Sequence, residues 1–436
     1  MEKRIHDKNC FYTLLRIYVD GLFRLSYRRM EYHGKEKIPQ NAAIIYAPNH
    51  TNTLMDALAV LAIDKKPKVF VARADVFKNP VANKILTFLK MLPINRMRDG
   101  SNNLTKNEEI NHKVVEALRD KTPFCILPEG RHRAKHSLLP LQKGIFRIAL
   151  QANDNFGKEI PVYIVPIGIE FGHFFRHRSS ILLQVGNPIN VSDFVLQNSQ
   201  HGCAELINAL RDELNVRMKE VILQIEDNSD YEGVLELTHI FDHKQRQQLN
   251  LKKNTLINRF LSAKATITET ENLLKENSSA MRETVHAAAD FSSKRHQAKI
   301  GAESYLKKYP VWSIVGRFFL LVLGLPYFIF FAVITSPITL ISIWACSLFK
   351  DKAFCNTLRY MITLLLFPFL FLIIGLVAWI NFGLWWAIVA IVLFLLSFHF
   401  LYEYLRTIRL FVSDIRWTLH KKLQKQLAKL QKASSS

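Results

Sequence analysis

The sequence predicts an α/β domain with a mostly parallel sheet, then a helical connector and a C-terminal α-helical membrane region. Three observations carry this expectation. Short apolar runs alternate with helix-period segments from residue 31 to residue 225. Residues 226–310 lose every strand signal and turn rich in Lys, Glu, Gln, Asn and Ser. Two long stretches, Phe318 to Phe349 and Tyr360 to Tyr402, then carry no Asp, Glu, Lys or Arg. Runs of that length suit bilayer spans of about 20 residues each.

The elements follow in order. In residues 1–30, Phe11, Leu14, Leu15, Tyr18, Leu22 and Leu25 recur at helical spacing beside Arg16, Arg24, Arg28 and Arg29. This is an amphipathic basic helix, which either lies on a membrane surface or packs on the domain that follows. Within 31–225 the expected strands are Ala43–Tyr46, Val69–Ala72, Phe124–Leu127, Val162–Ile167 and Ile181–Val185, with helices at 107–119, 142–152 and 203–224. Sites in such sheets form at the carboxyl ends of strands. His50 and Glu129 both follow strands, so they are expected at one edge. Residues 226–310 read as helices forming a solvated arm or connector.

The membrane region, 311–405, divides in two. Its first apolar run holds Pro326 and Pro337 and is long for one span but short for two. Its second breaks at Asn381-Phe382-Gly383, a turn signal, which gives helices near 360–380 and 384–402. Lys350, Lys352 and Arg359 lie between the runs, and the tail 406–436 opposes many Lys and Arg to Asp414 alone. Positive charge marks the cytoplasmic side. Each run is therefore expected to enter and return: a re-entrant or tight hairpin first, then a true hairpin, then a basic cytoplasmic tail. Three spans would put that tail outside.

Length and charge bound the function. The chain has 436 residues and a formal net charge of +21. That suffices for two or three domains and favours nucleic acid, anionic lipid or phosphorylated substrates as partners. The basic residues cluster beside the apolar runs, and no nucleic-acid module appears, so a nucleic-acid partner ranks last. Cys10, Cys125, Cys203, Cys346 and Cys355 are widely spaced and form no zinc, CxxC or disulfide pattern. A reducing compartment is the expectation. The charged first ten residues make no secretory signal.

The most informative segment is Ile44-Ile45-Tyr46-Ala47-Pro48-Asn49-His50-Thr51-Asn52-Thr53-Leu54-Met55-Asp56. An apolar run ends in Pro-Asn-His, and an Asp follows before a helical apolar pattern. A His oriented by an Asp takes a proton from a hydroxyl near neutral pH. The chain offers no obvious oxygen nucleophile, and no GxSxG elbow or P-loop appears, so the nucleophile is expected on a substrate. His132 with His136, and His173 with His177, have i,i+4 spacing, but lie among basic residues without a third ligand. No metal is expected.

Three further segments accompany the pair: Leu92-Pro93-Ile94-Asn95-Arg96, Leu127-Pro128-Glu129-Gly130-Arg131-His132-Arg133, and Ile164-Val165-Pro166-Ile167-Gly168-Ile169. In order and spacing, the four blocks resemble the glycerolipid acyltransferase family, over residues 10–225. That family includes lysophosphatidate and glycerol-3-phosphate acyltransferases. Its pattern is Asn-His with a nearby Asp, an Ile-Asp-Arg-like block, Phe-Pro-Glu-Gly-Thr-Arg-Ser, and a Val-Pro-Val-like strand.

The resemblance implies His50 as general base, Asp56 as its orienting partner, and Arg96 as a ligand of substrate phosphate. Glu129 and Gly130 match the substrate-binding loop, and either Arg131 or Arg133 takes the place of its Arg, Arg131 being preferred. It further implies acyl transfer without an acyl-enzyme intermediate, with coenzyme A or acyl carrier protein thioester as co-substrate and no bound cofactor. The first-choice acceptor is 1-acylglycerol-3-phosphate, as the commonest in the wider family; the alternative is glycerol-3-phosphate or dihydroxyacetone phosphate. A competing reading of another class is a non-catalytic membrane lipid-binding protein. The expected location is an integral membrane protein with its catalytic domain on the cytoplasmic face, of the plasma membrane if bacterial and of the endoplasmic reticulum if eukaryotic.

The chain departs from the family pattern in three places. Five residues separate His50 from Asp56 where the common form has four. That spacing resembles a fungal branch of glycerol-3-phosphate and dihydroxyacetone-phosphate acyltransferases. One residue turns a helical side chain by about 100°. The extra residue must therefore be absorbed before the helix, with Thr51 or Thr53 as N-cap. The third block reads Glu-Gly-Arg-His-Arg, and Asn95 stands where Asp is usual.

Overall fold

The structure, a computed structural model, describes residues 4–7, 9–95, 103–307 and 309–433. The apolar runs form β2 (Ala43–Pro48), β3 (Val69–Arg73), β5 (Phe124–Cys125), β6 (Val162–Phe171) and β7 (Ser179–Val185). Three strands were not foreseen: β1 (Tyr27–His33), β4 (Met91–Ile94) and β8 (Ile189–Asn190). Their order in the sheet is β1-β7-β6-β2-β5-β3-β4, with β8 against β6. The pairs β2–β5, β2–β6, β3–β5, β3–β4 and β1–β7 are parallel; β6–β7 and β6–β8 are antiparallel. The sheet is mostly parallel, as predicted.

The helices of this part are α1 (Cys10–Ser26), α2 (Leu54–Leu61), α3 (Pro80–Phe88), α4 (Asn103–Arg119), α5 (Gly144–Phe156), α6 (Val191–Gln197) and α7 (Cys203–Val221). Strand β2 is buried along its whole length, the mark of a parallel strand covered on both faces. Its Ala43, Ile45 and Ala47 join a core with Phe124 and Ile164, Val114 and Leu118 of α4, Ile145 and Phe146 of α5, and Leu210 and Leu214 of α7.

Two differences from the sequence reading have clear causes. The first helix stops at Ser26, because Tyr27 turns to extended backbone and starts β1. Its two faces also serve different ends. Tyr12, Arg16, Leu22 and Phe23 are buried, while Phe11, Leu14 and Ile17 stand about two-thirds exposed. The segment around Pro93, absent from the expected strands, is the edge strand β4, where a proline costs no central ladder bond.

The chain divides into two units, Met1–Phe175 with Ser179–Ile222, and Arg176–Arg178 with Leu223–Ser436. The second unit is helical: α8 (Tyr231–Ile240), α9 (Asp242–Gln248), α10 (Leu256–Lys275), α11 (Ser279–Gln297), α12 (Ala302–Tyr305), α13 (Pro310–Ile334), α14 (Ser336–Ser347), α15 (Lys352–Phe382), α16 (Leu384–Leu419) and α17 (Lys421–Ala433). Of these, α13, α15 and α16 are long and apolar enough to cross a membrane, and α14 is a shorter apolar helix. The break at Gly383, whose φ is +87°, ends α15 and starts α16.

Residues 226–310 are more than a solvated arm. Tyr231, Val234, Leu237, Val285, Phe291 and Tyr305 form a core with Trp417, Leu423, Leu427 and Leu430 from the chain end. The basic tail thus contributes to a packed unit through one leucine face. Inside it, Glu236 accepts from Arg295 Nε (2.8 Å), Arg295 Nη2 (2.5 Å) and Tyr305 Oη (2.6 Å). All three side chains are buried, so the carboxylate and guanidinium satisfy each other away from water. Asp414, also buried, accepts from Lys307 Nζ at 2.7 Å and pairs with Arg317.

Gly168 is the tightest point under the sheet. A Cβ there would lie 1.9 Å from the Val221 carbonyl oxygen at the end of α7. The adjoining Ile167 and Ile169 carry the backbone bonds that hold Asn49. Gly168→Ala should therefore destabilise the domain by about 3 kcal/mol or more. Gly144→Ala, with nothing within 4 Å of the new Cβ, should be near neutral. Thermal unfolding of the detergent-purified chain distinguishes the two; equal melting temperatures would contradict this packing.

Candidate active site

Strands β2 and β5 run parallel as neighbours, and each ends at a polar loop. Asn49 and His50 follow β2. The third block follows β5, where Ile126 N still donates to Tyr46 O at 3.1 Å. The carboxyl ends of two adjacent strands thus bring His50 and Glu129 together across 79 residues of sequence, as the alternation predicted.

Asn49 extends β2 by one residue. Its N–H donates to Ile167 O, its Nδ2 donates to Ile169 O, and its Oδ1 accepts from Ile169 N. An Asn side chain here copies a strand residue against β6 and fixes where the chain turns. The sequence marked Asn49 only as part of a motif; its role becomes visible in these three bonds.

Asp56 lies in the first turn of α2 and is fully buried. Its Oδ2 accepts three hydrogen bonds, from His50 Nδ1 (2.8 Å), Thr51 N (2.8 Å) and Asn52 N (2.7 Å). The carboxylate therefore fixes both the imidazole and the backbone that carries it. Because a carboxylate accepts, the His50 proton sits on Nδ1 and Nε2 presents its lone pair. No residue among those described hydrogen-bonds to Nε2. The ring is about one-sixth exposed, enough for a substrate to reach that nitrogen.

Neither threonine caps α2 through its hydroxyl. Thr53 occupies the N-cap position with φ +47° and makes no side-chain cap bond. The Thr51 Oγ1 is buried and has no hydrogen-bond partner. Asp56 itself ties down the N–H groups that precede the helix. The other end of α2 is held by cations. Arg16 donates to Leu61 O and Asp64 O at 2.6 Å each, and Lys35 Nζ donates to Ile63 O at 2.6 Å. Anion at the start and cations at the end both complement the helix dipole.

Glu129 is also buried, and both its oxygens are engaged. Oε1 accepts from His50 N at 2.6 Å and Oε2 from Leu139 N at 3.0 Å. Burial pushes its carboxyl up to about 7, against the opposing pull of those two N–H donors. Gly130 sits at φ +66°, where a side chain would be strained and would also press on Gln142. Past it, Arg133 N donates to His50 O at 3.0 Å. The His50 backbone is thus clamped through both its N–H and its C=O.

The arginines differ. Arg131 is exposed and has no partner among the described residues, whereas Arg133 donates from Nη2 to Ser137 O at 3.2 Å. Arg96 lies outside the described residues. His132, considered from the sequence only as half of an i,i+4 pair, has its ring edge-on to His50 with centroids 5.6 Å apart. His136 lies 3.0 Å from Glu170. No cluster of three His, Cys, Asp or Glu able to hold a metal occurs among the described residues.

An imidazole oriented by a buried carboxylate, with Nε2 unbonded among the described residues, can accept a proton from a bound hydroxyl. Residues 29–170 match the Acyltransferase family. Over 82 residues the chain is 33% identical to glycerol-3-phosphate O-acyltransferase 1 of Saccharomyces cerevisiae, which covers 19% of this chain and 11% of that relative's length. Among solved structures it is similar to the 1-acyl-sn-glycerophosphate (LPA) acyltransferase PlsC from Thermotoga maritima. That likeness has 18% identity and a TM-score of 0.35, over 48% of this chain and 78% of the other. Residues 29–170 thus carry the Acyltransferase match, and part of the chain is similar to a glycerolipid acyltransferase of which it spans only a small share.

Proposed function

We propose that the domain transfers a fatty acyl group from an acyl thioester to a hydroxyl of a phosphorylated glycerol, with His50 as general base and Asp56 as its positioning partner. The observation that carries this reading is the His50–Asp56 bond with Nε2 left open. Nε2 takes the hydroxyl proton as the oxygen attacks the thioester carbonyl. Collapse of the tetrahedral intermediate expels the thiolate, which recovers that proton from the imidazolium. Asp56 holds the tautomer and offsets the positive charge as it forms.

Glu129 acts in this scheme by clamping the His50 backbone. Arg96 and Arg131 are the proposed phosphate ligands, a guanidinium fork being suited to phosphate oxygens. The acyl donor is a coenzyme A or acyl carrier protein thioester. The exposed apolar face of α1 rests on the membrane, and the catalytic domain, connector and tail lie on the cytoplasmic side. In this arrangement α13 with α14 makes the first, tight hairpin and α15 with α16 the second.

Two acceptors fit. The first is 1-acylglycerol-3-phosphate. The second is glycerol-3-phosphate, and two observations favour it: the yeast relative carries that substrate in its name, and the His50–Asp56 spacing is the longer form.

The purified chain, offered each acceptor with a labelled acyl thioester, identifies which is used. In that assay His50→Ala should abolish transfer, and Asp56→Asn should lower kcat by about 10³-fold with a smaller change in KM. Full activity of His50→Ala would remove the mechanism; no transfer by the natural chain to either acceptor would leave the lipid-binding reading.

Glu129 makes a separate prediction for pH. Its folded pKa of about 7 lies above the ordinary value of 4.5, so the fold favours the protonated form. Its contribution to stability is fully present below pH 4.5 and is lost as pH rises through about 7, on the order of 3 kcal/mol in all. Unfolding followed across that window should show this decline in the natural chain and a flatter profile in Glu129→Gln. Parallel profiles would contradict the assignment.

Topology is tested at the break between α15 and α16. A cysteine placed at Asn381 should react with an impermeant thiol reagent from the outer side, while one placed at Lys432 should not. The reverse labelling would overturn the orientation.

A further inference from the structure

The apolar part of α16 ends at Tyr402, and Glu403, Arg406 and Arg409 follow within two turns. Arg406 and Arg409 are three residues apart and share a helix face. Arg406 Nη2 donates to Glu303 Oε2 at 2.8 Å, and its side chain is mostly buried. Arg409 and Arg176 differ: both are exposed, and neither has a hydrogen-bond or ion-pair partner among the described residues. Arg409 feels the charges of Arg176, Arg406 and Glu303, and Arg176 in turn feels Glu303. All four belong to the helical unit. Arg406 is thus paired with Glu303, while Arg409, one turn along the same helix, and Arg176 lie within electrostatic reach of that carboxylate with no ion-pair partner of their own among the described residues.

Arginine does not relieve such crowding by losing a proton. A bound anion relieves it, and a phosphate suits best, because guanidinium forks match its oxygens. The cluster also lies just past the apolar part of a bilayer-length helix, the depth at which lipid phosphates sit. We propose that Arg176, Arg406 and Arg409 form a binding site for a phosphate-bearing anion, with Glu303 holding Arg406 in position. The ligand chemistry is a phosphate ester or free phosphate. The site is independent of the acyl-transfer reading and of the residues that carry it.

The test uses the full chain in mild detergent, titrated with phosphatidylglycerol, with zwitterionic phosphatidylcholine, or with inorganic phosphate, and followed by thermal unfolding. Phosphatidylglycerol should raise the melting temperature saturably, and phosphatidylcholine should not. Each of Arg176→Gln and Arg409→Gln should weaken the apparent affinity by about five-fold. The charge-matched pair Lys421→Gln and Lys422→Gln, exposed on α17, should leave it unchanged. Arg409→Lys should retain part of the effect, which separates binding from loss of fold. A response to inorganic phosphate with the same dependence on the arginines supports the site with a soluble ligand. A response confined to phosphatidylglycerol supports a lipid headgroup. Equal weakening in the lysine and arginine variants, or no saturable response to either anion, would overturn the proposal.

Discussion

One carboxylate oxygen, Asp56 Oδ2, is the point on which the site depends. It collects an imidazole N–H and two consecutive backbone N–H groups within a single turn of chain. These three bonds do different work. The two to backbone fix the path between β2 and α2; the one to His50 fixes the ring's tautomer and direction. Because the same atom does both, the loop cannot leave its anchor without leaving the acceptor that orients the imidazole. The arrangement is buried, and a buried carboxylate is tolerable only when its donors are in place. The geometry of the proposed base and local folding are thus one constraint.

Glu129 extends that constraint across the sheet. Its bond to His50 N reaches from the β5 loop to the β2 loop, and its second oxygen holds Leu139. Arg133 N closes the clamp on the His50 carbonyl. Two buried carboxylates therefore hold one residue, Glu129 by its backbone and Asp56 by its ring, and a displacement of either loop moves His50. Gly168 shows how far this precision reaches, because the strand that supports Asn49 leaves no room for a methyl group against α7. The burial that lifts the Glu129 carboxyl to about 7 is the cost of placing an acceptor where the His50 N–H needs one.

The sheet was legible in the sequence wherever strands are fully apolar, as in Ile44-Ile45-Tyr46 and Val162–Ile167. It was illegible at the edges. β1 carries Arg28, Arg29 and Glu31 and pairs on one side only, with β7, so no apolar run betrays it. β4 contains Pro93, which reads as a loop until its edge position is known. His50 and Asp56 were legible because their partnership is local. The clamp by Glu129, the strand mimicry of Asn49 and the ring of His132 are contacts across 79 to 120 residues of sequence, and no periodicity encodes them. The helical unit was misjudged for a different reason. Leu423, Leu427 and Leu430 lie on one helical face, but the lysines between them dominate the composition.

The extra residue between His50 and Asp56 can now be given a physical place. A helix that began directly after the histidine would turn the Asp away with each residue added. The chain instead makes two turns of direction before α2, and Thr53 takes up the second with φ +47°. A β-branched residue at positive φ is strained, at a cost of about 1–3 kcal/mol. The strain persists because both flanks are held: Thr51 and Asn52 by the Asp56 carboxylate, and Met55 N by Asn52 O at 3.0 Å. The longer spacing and the common one therefore need not differ in the His–Asp bond itself. The difference lies in the loop between, one residue longer in this chain, where Thr51, Asn52 and Thr53 stand between His50 and α2. Under the proposed mechanism, a change of acceptor would be read there, next to His50 Nε2, and not in the His50–Asp56 pair.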